Sequence, residues 1–316
     1  MITASAPGKC ILMGEHAVVH GYPAIAIALD IRSFCTLQPL SKGKIRFHVP
    51  DHNILLEFQD FSEMKKLIPP RFSQFSEVLG VLTQDCGIHI KNISIKLYSE
   101  LWSGAGLGSS ASTAVAFLIA INKFYNLELS DAKINEYAFF MEKIVHGNPS
   151  GIDNAICSSG GAVIFQNGVR EKLILSSFPV LLIYSGIPHN TGAILRSLEE
   201  KREFLNESFV EIKRITEEGI IAIKEKKYLR LGELCDKNHE ILSKIGLSTP
   251  DIEKIVAVSR DNGAYGSKIT GAGSGGCVLT LGEESQLRKI QFLLKKQGYL
   301  SKITQLDYNG GRIDSK

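Results

Sequence analysis

The run Gly104-Ala105-Gly106-Leu107-Gly108-Ser109-Ser110-Ala111-Ser112 places three glycines and the hydroxyls of Ser109 and Ser110 directly before an apolar stretch that reads as a helix. Glycine tolerates backbone conformations closed to other residues and lets a ligand approach the main chain. A helix beginning there leaves its first N–H groups without intrahelical partners, at the positive end of its dipole. A polyphosphate would satisfy those donors, and the serine hydroxyls stand where a phosphate oxygen or its magnesium would sit. By itself the run also fits a plain glycine turn.

The flanking patterns set the context. Ile93, Ile95 and Leu97 alternate with Ser94, Lys96 and Tyr98, predicting a strand that delivers the chain into the loop; Ser110 to Tyr125 then reads as a buried helix. Ser130 is an N-cap candidate for a second helix through Val145. Alternation in Ala24–Leu29, Phe34–Leu37 and Ile45–Val49 predicts sheet in the opening third, with a helix over Phe72–Leu82. Gly161–Phe165, the Asn167-Gly168 turn and Leu173–Leu175 predict a hairpin that closes a first lobe. Beyond it come a strand at Val180–Tyr184, one long helix over Thr191–Lys226, a helix over Tyr228–Ile245, and another opened by Thr249-Pro250 and ended by Asn262-Gly263. The expected division is an N-terminal lobe, 1–177, and a C-terminal lobe, 178–316.

Composition narrows the class. Apolar residues at 44% and charged residues at 22% are ordinary for a folded globular chain. The net charge of +3 is dispersed, which argues against a dedicated nucleic-acid surface and leaves anionic small molecules as partners. The longest apolar run, Ala114 to Ile121, is far short of the roughly 20 residues of a membrane span. No secretory or lipidation signal is legible, so the expected location is cytoplasmic. The six cysteines form no C-x-x-C pair and read as buried thiols.

A second glycine loop, Gly271 to Gly276, satisfies G-x-G-x-x-G but opens the strand Cys277–Leu281 rather than a helix, so it is no dinucleotide fingerprint. The first loop lacks the lysine of a P-loop. Two further segments put ionisable side chains between turn formers: Pro7-Gly8-Lys9 with Gly14-Glu15-His16-Ala17-Val18-Val19, and His146 to Asn154.

These segments, with Gly104 to Ala111 and Thr270 to Cys277, together resemble the GHMP superfamily of small-molecule kinases, and within it the mevalonate kinase family, over nearly the whole length. Galactokinases share a Gly-Glu-His but typically continue with Thr-Asp-Tyr, where this chain has Ala17-Val18-Val19. Two departures stand out: Trp102-Ser103 where the family commonly has proline, and Ser274 at a position usually held by glycine. The resemblance implies an α+β, two-lobed fold with the active site in the cleft between lobes. It implies ATP and Mg2+ as cofactors and phosphorylation of mevalonate to 5-phosphomevalonate, on the route to isoprenoid and sterol precursors. A homodimer and a prenyl diphosphate inhibitor are further implied. The alternatives are another kinase of the superfamily (galactokinase, phosphomevalonate kinase or homoserine kinase) or a non-catalytic binding protein of the same fold.

The resemblance also assigns roles. Backbone N–H groups of Gly104, Ala105, Gly106, Leu107, Gly108, Ser109, Ser110 and Ala111 would cradle the nucleotide phosphates, and Ser110 with Glu142 would hold magnesium. Asp153 would be the general base or orienting group, with Lys9 as its partner; Glu15, His16, Ser150 and Thr191 would join them around the acceptor, and the second glycine loop would support the first from the other lobe. Read as residues alone, plainer roles stay open: Glu142 as a solvated helix carboxylate, Asp153 as a turn former, Lys9 as a surface cation, His16 as a structural histidine and Thr191 as a helix cap.

Overall fold

The computed structural model describes residues 1–40, 43–147, 149–188, 191–200 and 202–315. In chain order the elements are β1 (Ile2–Met13), β2 (Ala24–Pro39), β3 (Ile45–Val49), β4 (Ile54–Phe58), α1 (Phe61–Leu67), α2 (Ser73–Cys86), β5 (Ile93–Ser99), α3 (Ser109–Tyr125), α4 (Asp131–His146) and α5 (Ile152–Ser159). There follow β6 (Ala162–Gln166), β7 (Val169–Leu173), β8 (Val180–Tyr184), α6 (Thr191–Glu200), α7 (Arg202–Lys224), α8 (Tyr228–Lys244), α9 (Pro250–Asp261), β9 (Gly266–Thr270), β10 (Cys277–Leu281), α10 (Glu284–Lys296), β11 (Leu300–Thr304) and β12 (Arg312–Ser315).

Two sheets organise these elements. The larger runs β12-β1-β2-β5-β3-β4, and the hairpin β6–β7 joins it along the first residues of β2. The smaller is antiparallel, in the order β11-β8-β10-β9. At 16 residues β2 is long enough to serve two partners on one edge: Ala24–Ile27 pair with β6, and Ser33–Pro39 with β5. The two runs of alternation expected in this region are therefore one strand.

β1 and β2 are buried on both faces over most of their length, which accounts for the apolar runs Cys10–Met13 and Ala24–Leu29 within them. One face packs with α2, α3 and α4 around Phe47, Phe75, Phe117 and Met141. The other contributes Leu12, Met13, Ile25 and Ile27 to a cluster shared with Leu182 and Leu279 of the small sheet and with α7 and α8. A single apolar cluster thus joins the two sheets. The last strand, β12, returns to the large sheet beside β1, held by buried Arg32, which pairs with Asp307 and donates to the Gly310 carbonyl at 2.7 Å.

Local signals account for the helix ends. The Ser130 side chain accepts from the Lys133 N–H and caps α4; Thr249 does the same for Ile252 in α9, with Pro250 at the first position. Across the helix expected over 191–226, the described residues are helical up to Glu200 in α6 and from Arg202 to Lys224 in α7, with residue 201 outside the described residues. Among the described residues no helix is long and apolar enough to cross a membrane.

Candidate active site

Pro7-Gly8-Lys9 lies inside β1 and not between turns. The strand carries a register shift between Pro7 and Gly8, the kind of bulge at which proline's missing donor is tolerated. Gly8 has no room for a side chain, since a Cβ there would sit 2.5 Å from Leu101 Cδ2. The Lys9 N–H leaves the sheet ladder's neighbourhood to donate to the Leu107 carbonyl at 2.9 Å, which ties β1 to the first glycine loop.

That loop turns through Gly104, Gly106 and Gly108, with φ of 69°, 78° and 71°, conformations that glycine adopts without strain. Gly108 caps α3, leaving the N–H groups of Ser109 to Ala111 as the first free donors of a 17-residue helix. A Cβ on Gly108 would fall 2.9 Å from Lys9 Cγ and 3.7 Å from Asp153 Oδ2. The loop therefore closes directly over Lys9 and Asp153.

Asp153 sits in the first turn of α5, after Gly151 at φ 74°, where the helix dipole favours a carboxylate. Its Oδ1 lies 3.1 Å from Lys9 Nζ. Burial alone would lower the pKa of Lys9; the charge and hydrogen bond of Asp153 outweigh it and hold the ammonium above its usual value. Glu142, on the last turn of α4, is 4% exposed, and its pKa is pushed up to about 8 by burial and then by the charge of Asp153. No hydrogen bond or ion pair of its carboxylate is found among the described residues. Ser109 and Ser110 line a concavity of about 200 Å³ together with Asp51, His52, Arg71 and Tyr98. So residues 9, 108, 142 and 153 converge, and Ser110 opens onto the adjoining hollow.

The remaining expectations divide. Ser150 Oγ accepts from the Ile152 N–H at 3.4 Å and so serves the start of α5. Ser112, inside the motif, donates to the Ala6 carbonyl at 2.7 Å and is structural. Glu15 forms a buried ion pair with Lys268 of β9, a partner the sequence did not suggest. His16 lines a hollow of about 230 Å³ and donates from Nε2 to the Ala272 carbonyl at 2.9 Å. A carbonyl only accepts, so Nε2 carries the proton and the buried Nδ1, without a partner among the described residues, is an acceptor. Burial lowers the His16 pKa to about 4 and keeps the ring neutral. Thr191 opens α6, but its side chain, like Asn148, His189 and Asn190, lies outside the described residues.

Arg170 of β7 went unnoticed in the sequence; its guanidinium lies 3.1 Å from where a Cβ on Gly151 would be, two residues from Asp153. The second glycine loop meets the first at Gly271, whose Cβ position is 3.7 Å from the Gly106 carbonyl oxygen. Thr270 both donates to and accepts from the main chain of Ile11, at 2.9 and 3.0 Å, bolting β9 to β1.

Comparison with known proteins gives this geometry its family. The model of the GHMP kinases N terminal domain matches residues 73–161, and that of the GHMP kinases C terminal matches 220–300. A mevalonate kinase of Pyrococcus furiosus is 34% identical over 99% of this chain and 98% of its own length. The crystal structure of the Methanococcus jannaschii mevalonate kinase superposes with a TM-score of 0.87 at 30% identity, covering 96% of this chain and 98% of that one. That of the L. major mevalonate kinase in complex with R-mevalonate has the same fold, with a TM-score of 0.81 at 24% identity over 96% and 95% of the two chains. With matches of this extent spanning both sheets and the glycine-bearing segments, the chain belongs to the GHMP kinases, in their mevalonate kinase family.

Proposed function

We propose that the protein transfers the γ-phosphoryl group of ATP to the terminal hydroxyl of mevalonate, in line and without a phosphoenzyme. The Lys9–Asp153 pair closed over by Gly108 carries this reading, because it sets a base and a cation beside helix donors able to hold a polyphosphate. Asp153 accepts the hydroxyl proton, and Lys9 stabilises charge on the attacking oxygen and the moving phosphoryl group. The neighbouring Cys157 thiol is held well above its ordinary pKa by burial and Asp153, so it offers no competing nucleophile. Mevalonate brings a carboxylate and hydroxyls; Arg170 suits the first, and the Nδ1 lone pair of His16 suits a hydroxyl. In the same reading the enzyme is a cytoplasmic homodimer of the isoprenoid and sterol route, open to prenyl diphosphates at its ATP site, with its lobes divided near residue 177.

Glu142 fits a magnesium ligand. A buried carboxylate with a pKa of about 8 and no hydrogen-bonding partner is a standing cost that a divalent cation would offset. Among the described residues no three acidic, histidine or cysteine groups form a metal site by themselves, as expected for an ion that arrives with phosphates and keeps few protein ligands. Ser110 would supply a second oxygen. Bound there, magnesium would neutralise the phosphate charge that develops during transfer.

ADP release measured with mevalonate, galactose, homoserine and phosphomevalonate tests the function: turnover confined to mevalonate is expected, and none with mevalonate overturns the reading. Glu142→Gln should lower kcat by at least about 10²-fold at saturating magnesium. The same variant should be more stable than wild type without magnesium. The folded pKa of Glu142 lies above its unfolded value of 4.5, so stability is lost as pH rises from there through about 8. The gain in Tm should therefore be larger at about pH 8 than at about pH 5. An unchanged Tm difference across that range would contradict the burial of an ionising Glu142.

A further inference from the structure

Trp102 is the single tryptophan of the chain and stands two residues before the first glycine of the phosphate loop. The indole is half-buried and stacks on Tyr184, with ring centroids 5.9 Å apart and planes inclined by 15°. Tyr184 closes β8 and is paired with Cys277, the first residue after the second glycine loop. The segment beyond Tyr184 is fixed to that loop by two backbone bonds, Ser185 N–H to the Gly276 carbonyl at 3.0 Å and Gly276 N–H to the Ile187 carbonyl at 2.8 Å. It then presents Pro188 to Gly104, where an added Cβ would lie 2.8 Å from the proline ring. On the other side of the stack, the Trp102 carbonyl accepts from the Ala105 N–H at 3.3 Å and so starts the first glycine loop.

We propose that the Trp102–Tyr184 stack is a clamp that positions the phosphate loop against the small sheet, so that nucleotide affinity depends on it and the indole reports phosphate occupancy. Trp102 and Tyr184 act through the loop and touch no reacting atom in this scheme; they are positioning residues. The argument is geometric. Only Ala105 and Leu107 give Gly104–Gly108 side chains to anchor it, both buried in the cluster between the sheets, and a loop that must hold several N–H groups on one anion loses affinity when those groups are free to wander. Flat aromatic contact at the loop's entry, with Pro188 behind Gly104 and Gly271 behind Gly106, supplies the restraint from the opposite sheet. The inference rests on the reading of Gly104–Ala111 as the nucleotide phosphate site.

The test uses the intact enzyme and magnesium ADP as the probe. Indole emission should change saturably on titration, with a midpoint matching the Kd measured by calorimetry. Tyr184→Ala should raise the KM for ATP by about two- to tenfold, the range an aromatic pair supports, while kcat and the KM for mevalonate stay within about twofold. Tyr184→Phe, which keeps the stack, should restore the wild-type KM. Trp102→Phe should keep the affinity and abolish the emission signal. Binding seen by calorimetry with no change in indole emission overturns the clamp and leaves the nucleotide reading intact; absence of ADP binding overturns both. A Tyr184→Ala variant whose KM for ATP is unchanged, or whose kcat and both KM values shift together with a lowered Tm, also overturns it, the second outcome marking a merely structural stack.

Discussion

Asp153→Asn is expected to lower kcat by about 10²–10⁴-fold, the range spanned by general-base removal, with the Kd for ADP within a few-fold of wild type. Asparagine keeps the volume and an acceptor oxygen, so the start of α5 should persist. What it cannot do is take a proton or hold Lys9 charged. Burial pulls the Lys9 pKa down, and the Asp153 carboxylate 3.1 Å away is what reverses that pull, so the amide removes the base and weakens the cation together. Lys9→Met should do comparable damage from the other side, by leaving Asp153 and Glu142 as uncompensated neighbouring carboxylates. The double variant should therefore fall little further than either single one, as groups acting as one unit do. Steady-state kinetics with calorimetric nucleotide binding decides it. Turnover of Asp153→Asn within a few-fold of wild type would reduce that carboxylate to a turn former.

What could be read in the sequence followed how local each signal is. Apolar periodicity located α3, α4, β5 and β6 because each buries a face at its own spacing, whereas β7 runs over Val169–Leu173 with Leu173 alone buried, ahead of the expected Leu173–Leu175; Ser130 and Thr249 marked helix starts because a cap bonds within three residues. The glycine loop was legible for the same reason: positive φ is a property of single residues. Pro7-Gly8-Lys9 misled by looking like a turn, since only its distant neighbours, Leu101 and Leu107, reveal a bulged strand that needs those residues. The convergence of Lys9, Glu142 and Asp153 was suggested by family resemblance and not by pattern, because no spacing rule relates three groups on three elements. Glu15 and Lys268 lay beyond both routes. Each charged residue is mostly found exposed, so nothing in either neighbourhood signals burial; their contact joins the two sheets and exists only once both have formed.

Lys268→Met should be the most destabilising single change outside the apolar core, at about 3–5 kcal/mol, the usual effect of stripping one partner from a buried ion pair. Lys268 is fully buried and the Glu15 side chain is 1% exposed. The lysine donates both to Glu15 Oε1 and to the Ile269 carbonyl, while Glu15 Oε2 already lacks a partner. Burial raises the Glu15 pKa even with Lys268 opposing it, so removing the ammonium leaves a carboxyl that must take up a proton to stay in the fold. Its folded pKa then stands further above the unfolded one. The stability lost grows as pH rises between them, and the Tm gap to wild type, roughly 10 °C near neutrality, should narrow toward about pH 4. Adding Glu15→Gln should recover most of the loss, because an uncharged amide costs far less to bury. Recovery should extend to activity. Glu15 precedes His16, whose Nε2 holds the second glycine loop, and Lys268 lies two residues before Thr270, which fastens β9 to the strand carrying Lys9; the pair sits where the two sheets are joined, close to that strand. A Lys268→Met protein as stable as wild type, with a Tm difference independent of pH, would mean that water reaches this pair, and the rigid link between the sheets would have to be sought elsewhere.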